Sequence, residues 1–293
     1  MSSVTEVSHH IKVVEDTEKI TRAMYMIASS KMKRAGRLHA QNLKYFERVR
    51  SNIKFIMDNS DQGFNNPYYR FHPARKAGFV IIAGDKGLCG GYNAEIIKLA
   101  GATLADERFA AEHLFTVGNI ASDHFARTGL PTNQDYRYIL HDPNLDNARL
   151  LTYDLCARFR SKELDEVYVI YTYLDSKSVP CPSVLRMLPV LPEDFADAVE
   201  LHAHTGNLEY HPSIEVALET MVPNYLIGLL YSALVQSHAS EHYSRMTAMD
   251  ASNRNAEDML AKLRIERNHA RQAIITREIS EIVSGGDIIC MGS

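Results

Sequence analysis

The stretch ITRAMYMIASSKMKRA (residues 20–35) decides how the first part of this chain folds. It combines good helix formers with methionine and contains neither glycine nor proline. It is too polar to cross a membrane and too apolar to be a free tail, so one face of the helix must be covered. Helix breakers are also rare on both sides of this stretch, since Gly36 is the only glycine or proline in residues 4–57.

A second stretch without helix breakers lies near the other end, because residues 229–284 contain no glycine or proline. We therefore predict one long helix at each end of the chain. At about 1.5 Å per residue, each helix would extend roughly 80 Å. That length exceeds the diameter of a compact domain of this size, so the helices must project from it or run beside each other.

The apolar residues of both segments recur at alternating intervals of three and four, which is typical of left-handed coiled coils. The C-terminal seam runs through Met246, Met249, Asn253, Ala256, Leu260, Leu263, Arg267, Ala270 and Ile274. The N-terminal seam is predicted to run through Val13, Thr17, Ile20, Met24, Ile27, Lys31, Arg34 and Leu38. We expect the two helices to pair antiparallel. The polar seam residues indicate that a folded body or a partner supports them.

The middle of the chain alternates β-rich apolar runs with helical segments. The predicted strands cover residues 79–83, 113–118, 136–140, 166–174 and 183–192, with the last two antiparallel. Such an order predicts an open, mostly parallel sheet with helices on its faces. The expected fold class is therefore α/β. A Rossmann-like domain over residues 73–208 is inserted between coiled-coil helices over residues 1–58 and 212–293.

Composition excludes several classes of protein. The formal net charge of −4 argues against a general nucleic-acid binder. No uninterrupted apolar run reaches the roughly 18 residues of a spanning helix, and the first residues resemble neither a secretory nor a transit signal.

The four cysteines, Cys89, Cys156, Cys181 and Cys290, form no CxxC pair. They are expected to be reduced structural thiols, with a disulfide or redox switch as the alternative.

The loop GDKGLCGGYN (residues 84–93) is the most distinctive candidate site. It follows a predicted strand and precedes a predicted helix for which Asn93 is a candidate N-cap, and phosphate-binding loops occupy such positions. It matches neither GxGxxG nor the P-loop pattern. A tight turn that uses Gly87, Gly90 and Gly91 for positive φ and close packing is the structural alternative.

Other candidate sites are weaker. His202, His204 and His211 could hold a metal, but no closed ligand set is identifiable, so a surface or packing role is favoured. The basic run KMKRAGR (residues 31–37) is either a solvated helix face or a surface that docks onto an acidic partner. No catalytic signature stands out. We therefore predict no catalytic residue, no cofactor and no metal.

Three stretches together resemble the γ subunit of F-type rotary ATP synthase. They are KITRAMYMIASSKMKRA (residues 19–35), DKGLCGGYN (residues 85–93) and ARQAIITREISEIVSGG (residues 270–286). Their order and positions agree with that family, as does the layout of helix, α/β domain and helix. The chain departs from the family pattern at His9 and His10, at Gly84, where Ser or Thr is common, and at Gly286. The redox-cysteine insertion of chloroplast members is missing, which favours a bacterial or mitochondrial type. Because the first residues do not resemble a transit peptide, the bacterial type is preferred.

The resemblance implies a central-stalk rotor without a catalytic site of its own. Its coiled coil would stand inside a ring of three α and three β subunits. Its α/β domain would lie against the ε subunit and the membrane c-ring. It would transmit torque during proton- or sodium-driven ATP synthesis, or during ATP hydrolysis. The expected place is the cytoplasmic face of the bacterial plasma membrane, peripheral to it, with the matrix side of the mitochondrial inner membrane as the alternative.

The resemblance also implies residues that contact partners. Those that would couple rotation to the β subunits are Met24, Arg245, Arg271, Gln272, Thr276 and Glu281. Lys31, Lys33 and Arg34 would face an acidic loop of β, and contacts with ε and c would fall around residues 210–225. By residue type alone, Arg271 and Gln272 are simply exposed helix positions. Two other functions remain open: a Rossmann-like enzyme that binds a nucleotide at residues 84–93, and a scaffold whose coiled coil forms between chains.

Overall fold

The computed structural model describes residues 4–58, 67–69, 76–106, 110–198 and 214–291, leaving aside the side chains of residues 67, 110–112, 214–215 and 281–291. The chain divides into two compact units. The coiled-coil unit consists of Met1–Ala28 and Met246–Ser293, and the α/β unit consists of Ser29–Arg245. The domain limits predicted at residues 73, 208 and 212, and the histidines at 202, 204 and 211, lie outside the described residues.

The order of elements confirms an α/β segment between two long helices. The helices are α1 (Val4–Asp58), α2 (Tyr92–Leu104), α3 (Asn119–Phe125), α4 (Leu145–Arg160) and α5 (Ile214–Met291). The strands are β1 (Lys76–Ile82), β2 (Ala110–Val117), β3 (Thr132–Asn133), β4 (Glu166–Leu174) and β5 (Pro180–Leu188). Helix α5 contains Pro223 in its interior, so it begins earlier than the breaker-free stretch indicates.

The five strands form one sheet in the order β3-β2-β1-β4-β5. The pairs β1–β2, β1–β4 and β2–β3 are parallel, and β4–β5 is antiparallel, as predicted. Central strand β1 is buried on both sides, because residues 79–82 have no exposed surface. Val80 and Ile82 belong to a core that includes residues of α1, α4 and α5. Phe79 and Ile81 belong to a second core with residues of α2 and α3.

The prediction of a strand at residues 136–140 is wrong. A short 3-10 helix covers Ile139–His141, and the third strand is β3, a few residues earlier. Ile139 and Leu140 are both buried, while Tyr138 is 70% exposed. A strand sends consecutive side chains to opposite faces, whereas a helical turn can bury two neighbours together. The apolar run therefore fills the core as a turn.

Within the coiled-coil unit the two helices pack antiparallel, as predicted. Val7, Ile11 and Val14 of α1 form one apolar cluster with Leu260 and Leu263 of α5. Two pairs set the direction, because Arg264 bonds Glu15 (3.1 Å) whereas Asn253 accepts a hydrogen bond from Thr21 (2.5 Å). Later residues of α1 thus meet earlier residues of α5. The predicted C-terminal seam is correct at Met249, Leu260 and Leu263, which are all buried.

The predicted N-terminal seam is displaced by one residue at Val13, Ile20 and Ile27, while its members Met24, Lys31 and Leu38 are half-buried. Val13, Ile20 and Ile27 are 48%, 61% and 59% exposed. Val14 and Ala28 are buried instead, and Thr21 between them bonds Asn253. Helix α1 carries two apolar stripes one residue apart, and a spacing of three and four fits both. Only the contact with α5 decides which stripe is the seam.

Three described cysteines are free thiols, as predicted. Cys89 and Cys156 are buried and Cys181 is partly exposed, while the side chain of Cys290 lies outside the described part. Burial raises the pKa of Cys156 to about 12, which makes it an inert structural thiol.

Helix α5 contains, within Val216–Ser280, a segment long and apolar enough to span a membrane. However, 56% of the most apolar segment is buried inside the protein. This is the pattern of a core helix.

Candidate functional site

Polar residues replace apolar ones where α5 passes the end of the sheet. Leu226, Leu230 and Leu234 have no exposed surface. The next two turns bury Ser237, His238, Ser240, Glu241, His242 and Arg245, each at most 8% exposed. Buried polar groups need partners, so this segment must be fixed by specific bonds. We call Lys31 of α1 together with His238, Glu241, His242 and Arg245 the junction cluster.

Arg245 ties α5 to the glycine-rich loop (residues 84–91). Its Nη2 donates to the carbonyl oxygens of Lys86 (3.2 Å) and Gly87 (3.1 Å), and to Glu241 Oε1 (2.7 Å). Its Nη1 donates to His242 Nδ1 (3.2 Å). The guanidinium is planar with several fixed donors, and this shape lets one side chain hold two loop carbonyls and a carboxylate together.

Asn93 closes the same loop from the other side. Its Oδ1 accepts from the Gly84 backbone N–H (2.8 Å), and its Nδ2 donates to the Lys86 carbonyl (3.3 Å) and to Cys89 Sγ (3.2 Å). The prediction that Asn93 caps α2 is wrong, because Gly91 is the N-cap and no side chain caps the helix. The side-chain amide of Asn93 forms its hydrogen bonds with the loop instead of with the start of α2.

Gly84 allows the loop to pack closely against α5. A Cβ atom built there would lie 3.0 Å from Asn93 Oδ1 and 3.1 Å from Glu241 Cδ. Real Cβ atoms rarely approach other atoms so closely, so a serine or threonine at this position requires Asn93 or Glu241 to move. The departure from the family pattern at residue 84 therefore accompanies a tight contact between loop and helix.

The surroundings of the loop favour a structural role over anion binding. Asp85 Oδ1 accepts from the backbone N–H of Asn119 at the start of α3 (3.2 Å). Asp85 is part of the loop itself, so an anion bound by the loop would be near a carboxylate, which repels it. Two loop carbonyl groups already accept hydrogen bonds from Arg245. The nucleotide-binding alternative is therefore not favoured.

Two serines of α5 fix the helix to the sheet and to α2. Ser237 Oγ accepts from the Thr172 backbone N–H (3.2 Å), and Ser240 Oγ donates to the Thr172 carbonyl (3.2 Å). Tyr92 Oη donates to the Ser237 carbonyl (3.2 Å). All of these groups are buried, where a lost hydrogen bond costs about 1–3 kcal/mol. Strand β4, helix α2 and the glycine-rich loop thus all bond one face of α5.

The junction cluster disfavours protons on its histidines. Burial lowers the pKa of His238 to about 4, and the positive charge of Lys31 acts in the same direction. Burial also lowers the pKa of His242 to about 3, helped by His238, Arg245 and Lys31. Burial raises the pKa of Glu241, and the Arg245 guanidinium opposes that shift. Both imidazoles are therefore neutral near pH 7.

The structure places the predicted partner-contacting residues in two groups. In the coiled-coil unit, Met24 is half-buried, Arg271, Gln272 and Thr276 are exposed on α5, and the Glu281 side chain lies outside the described part. In the α/β unit, Lys31 is half-buried, Lys33 and Arg34 are exposed, and Arg245 is buried. Arg34 pairs with Asp142 (3.5 Å). The positive charges of Lys31 and Arg245 both lower the pKa of the two histidines in the junction cluster, after the larger effect of burial. The partner roles of these residues stay predictions.

The bonds made by Glu241, Ser237 and Ser240 are absent from the sequence-based predictions. A signal does exist, because Glu241 and Arg245 are spaced i,i+4, and so are His238 and His242. These residues interrupt the apolar stretch that precedes them in α5. Polar pairs at this spacing share one helix face. Which element lies opposite that face cannot be deduced from spacing.

Comparison with known proteins gives a consistent result. The family model described as ATP synthase matches residues 3–287. The ATP synthase gamma chain of Ruminiclostridium cellulolyticum is 33% identical over 296 residues, covering 98% of this chain and 99% of the relative. The sodium-ion-specific ATP synthase gamma chain of Acetobacterium woodii is 32% identical, with 98% and 99% coverage.

A solved structure shares the fold. The match is a chain of the rotor of the Euglena gracilis mitochondrial ATP synthase, with a TM-score of 0.59 and 14% identity. It covers 93% of this chain and 98% of the other. At this identity the similarity concerns the arrangement of helices and strands.

Proposed function

The chain belongs to the gamma-chain family of ATP synthase, and from that premise we propose how its two units act as a rotor. It is a non-catalytic central-stalk subunit of this membrane-associated complex. In the proposal, the coiled-coil unit turns inside the ring of α and β subunits. The α/β unit receives torque from the c-ring together with the ε subunit, on the cytoplasmic face of a bacterial plasma membrane.

The observation that carries the proposal is the apolar surface of the coiled-coil unit. Val13, Ile20 and Ile27 recur every seven residues on α1, and all three are about half exposed or more. On α5, Ile265 and Ile279 are 58% and 55% exposed. A stripe of exposed apolar side chains along a helix whose seam is already covered supports contact with another protein. The ring of α and β subunits is the partner that fits a stalk.

The polar residues beside this surface are proposed to couple rotation to the β subunits. Arg271, Gln272 and Thr276 are exposed on the same stretch of α5 as the exposed Ile275. Lys33 is exposed on α1 and can meet an acidic loop of β. Arg245 would act differently, because its guanidinium is already bound within the chain.

Reconstitution tests the proposal. We expect the chain to co-purify with α and β subunits of the same organism and to raise their ATPase activity. The double variant Ile20→Glu, Ile27→Glu puts charges on the exposed stripe and not in the seam, so it should remain helical by circular dichroism but lose most of this stimulation. Leu150→Glu is the control, since Leu150 is 63% exposed on α4 of the α/β unit.

Three results would count against the proposal. One is a failure of the unaltered chain to associate with α and β. Another is full stimulation by the double variant. The third is an equal loss in the Leu150→Glu control, because the effect would then not depend on the stripe.

A scaffold that dimerises through its coiled coil is less favoured. The seam residues Leu260 and Leu263 of α5 are covered by α1 of the same chain. A dimer between chains would need to displace that internal partner first. The exposed stripe, by contrast, is available without any rearrangement.

A further inference from the structure

The bonds along one face of α5 define how this helix is rotated about its own axis. Ser237, Glu241 and Arg245 are spaced i,i+4,i+8, so they lie along one face, with Ser240 beside them. Apolar contacts are not directional and allow a helix to roll. Hydrogen bonds weaken steeply when their geometry is lost. A helix bonded along two turns therefore resists rolling more than one held by apolar packing alone.

Three separate elements hold this face. Strand β4 bonds Ser237 and Ser240 through both the backbone N–H and the carbonyl of Thr172. Helix α2 bonds the Ser237 carbonyl through Tyr92. The glycine-rich loop bonds Arg245 through two carbonyls. A roll of α5 in either direction would break bonds to all three.

The position of this bonded face within α5 is informative. Arg245 is the last residue of the α/β unit, and α5 continues from it into the coiled-coil unit. Before Ser237, the helix is packed by apolar residues such as Leu230 and Leu234, which belong to the main core. The directional bonds are thus concentrated in the last two turns that α5 makes within the α/β unit.

We infer that Ser237, Ser240, Glu241 and Arg245 form a torsional lock that stops α5 from rolling against the α/β unit under load. This inference rests on the proposed function, because load arises only if the chain transmits torque. Glu241 orients the Arg245 guanidinium, and Arg245 and the two serines make the bonds to the other elements. All four are positioning residues for rotation.

Ion pumping by the whole complex tests the lock. The conservative variant Arg245→Lys keeps a positive charge beside Glu241 but loses the planar donors that reach both loop carbonyls. The triple variant Ser237→Ala, Ser240→Ala, Arg245→Lys also removes the bonds to Thr172. We expect ATP hydrolysis to continue in both, while ions pumped per ATP hydrolysed fall modestly in the first and to less than half in the second. Reconstituted vesicles and a coupled ATPase assay give the two rates.

Leu114→Ala is the matched control. Leu114 is fully buried in the core formed with α2 and α3, to which α5 contributes no residue among those described. This variant lowers stability through a cavity and leaves the lock intact. Its ratio of pumping to hydrolysis should equal that of the unaltered chain.

The outcomes are distinguishable. A low pumping ratio in the lock variants alone supports the lock. An unchanged ratio in the triple variant, or an equal fall in Leu114→Ala, overturns it while the rotor proposal stands. If the unaltered chain neither assembles nor pumps, the proposed function itself fails.

Discussion

Replacing Arg245 by methionine is expected to lower the free energy of unfolding by roughly 3–5 kcal/mol, because it leaves a buried carboxylate without its partner. Glu241 and Arg245 are 2.7 Å apart, with side chains only 7% and 9% exposed. The two loop carbonyls also lose their donor. Urea unfolding at pH 7, followed by circular dichroism, measures the loss.

Helix α5 supplies a closely matched control. Arg254 and Asp250 have the same i,i+4 spacing and the same 2.7 Å separation, but their side chains are 76% and 44% exposed. Exposed pairs contribute about 0–1 kcal/mol, so Arg254→Met should have little effect. Adding Glu241→Gln to Arg245→Met should recover part of the loss, since no ionised carboxylate then remains buried. Similar losses in the two single variants would show that burial of the pair is not what matters.

Acidification is expected to destabilise the chain through His238 and His242. Their ordinary pKa is 6.5, and in the folded chain it falls to about 4 and about 3. As the pH drops below 6.5 the unfolded chain binds these protons and the folded chain does not, so stability falls. Each histidine should lower the free energy of unfolding by roughly 2 kcal/mol at pH 5 relative to pH 7. Glu241 has a raised pKa and offsets part of this.

Paired unfolding curves at pH 7 and pH 5 measure this dependence. His238→Leu should remove about half of the contribution of the two histidines, while Lys31 and Arg245 still act on His242. His269→Leu is the control, because His269 is exposed on the same helix. If His238→Leu shows the same dependence on pH as the unaltered chain and the control, His238 is not a source of that dependence.

The sequence predicts the large features well because each has a periodic signal of its own. The absence of breakers predicts α1 and α5, and the apolar runs predict four of the five strands. The seam of α5 is correct because Leu260 and Leu263 have no competing apolar stripe beside them. On α1, Ile20 competes with Thr21, and the correct residue is the polar one because Asn253 lies opposite it.

The site is less predictable because it depends on contacts between distant segments. Residues 84–93 stand out by composition, and their position between a strand and a helix is as predicted. Two of their carbonyl groups, however, are bound by Arg245, which lies 158 and 159 residues later in the chain. No local sequence pattern indicates either this bond or the hydrogen bonds by which Asn93 holds the loop. Spacing alone could identify the shared face of Glu241 and Arg245, but not what covers it.

Single-molecule rotation tests the central claim most directly. The α and β subunits are fixed to a surface, and a gold particle is attached to the chain through Lys98→Cys, at an exposed position of α2, after the other reactive cysteines have been replaced. With ATP, the particle should turn in one direction, pausing at regular angles once for each β subunit. A chain that assembles with α and β, supports their ATPase activity and yet holds the particle still would contradict the claim that it is a rotor.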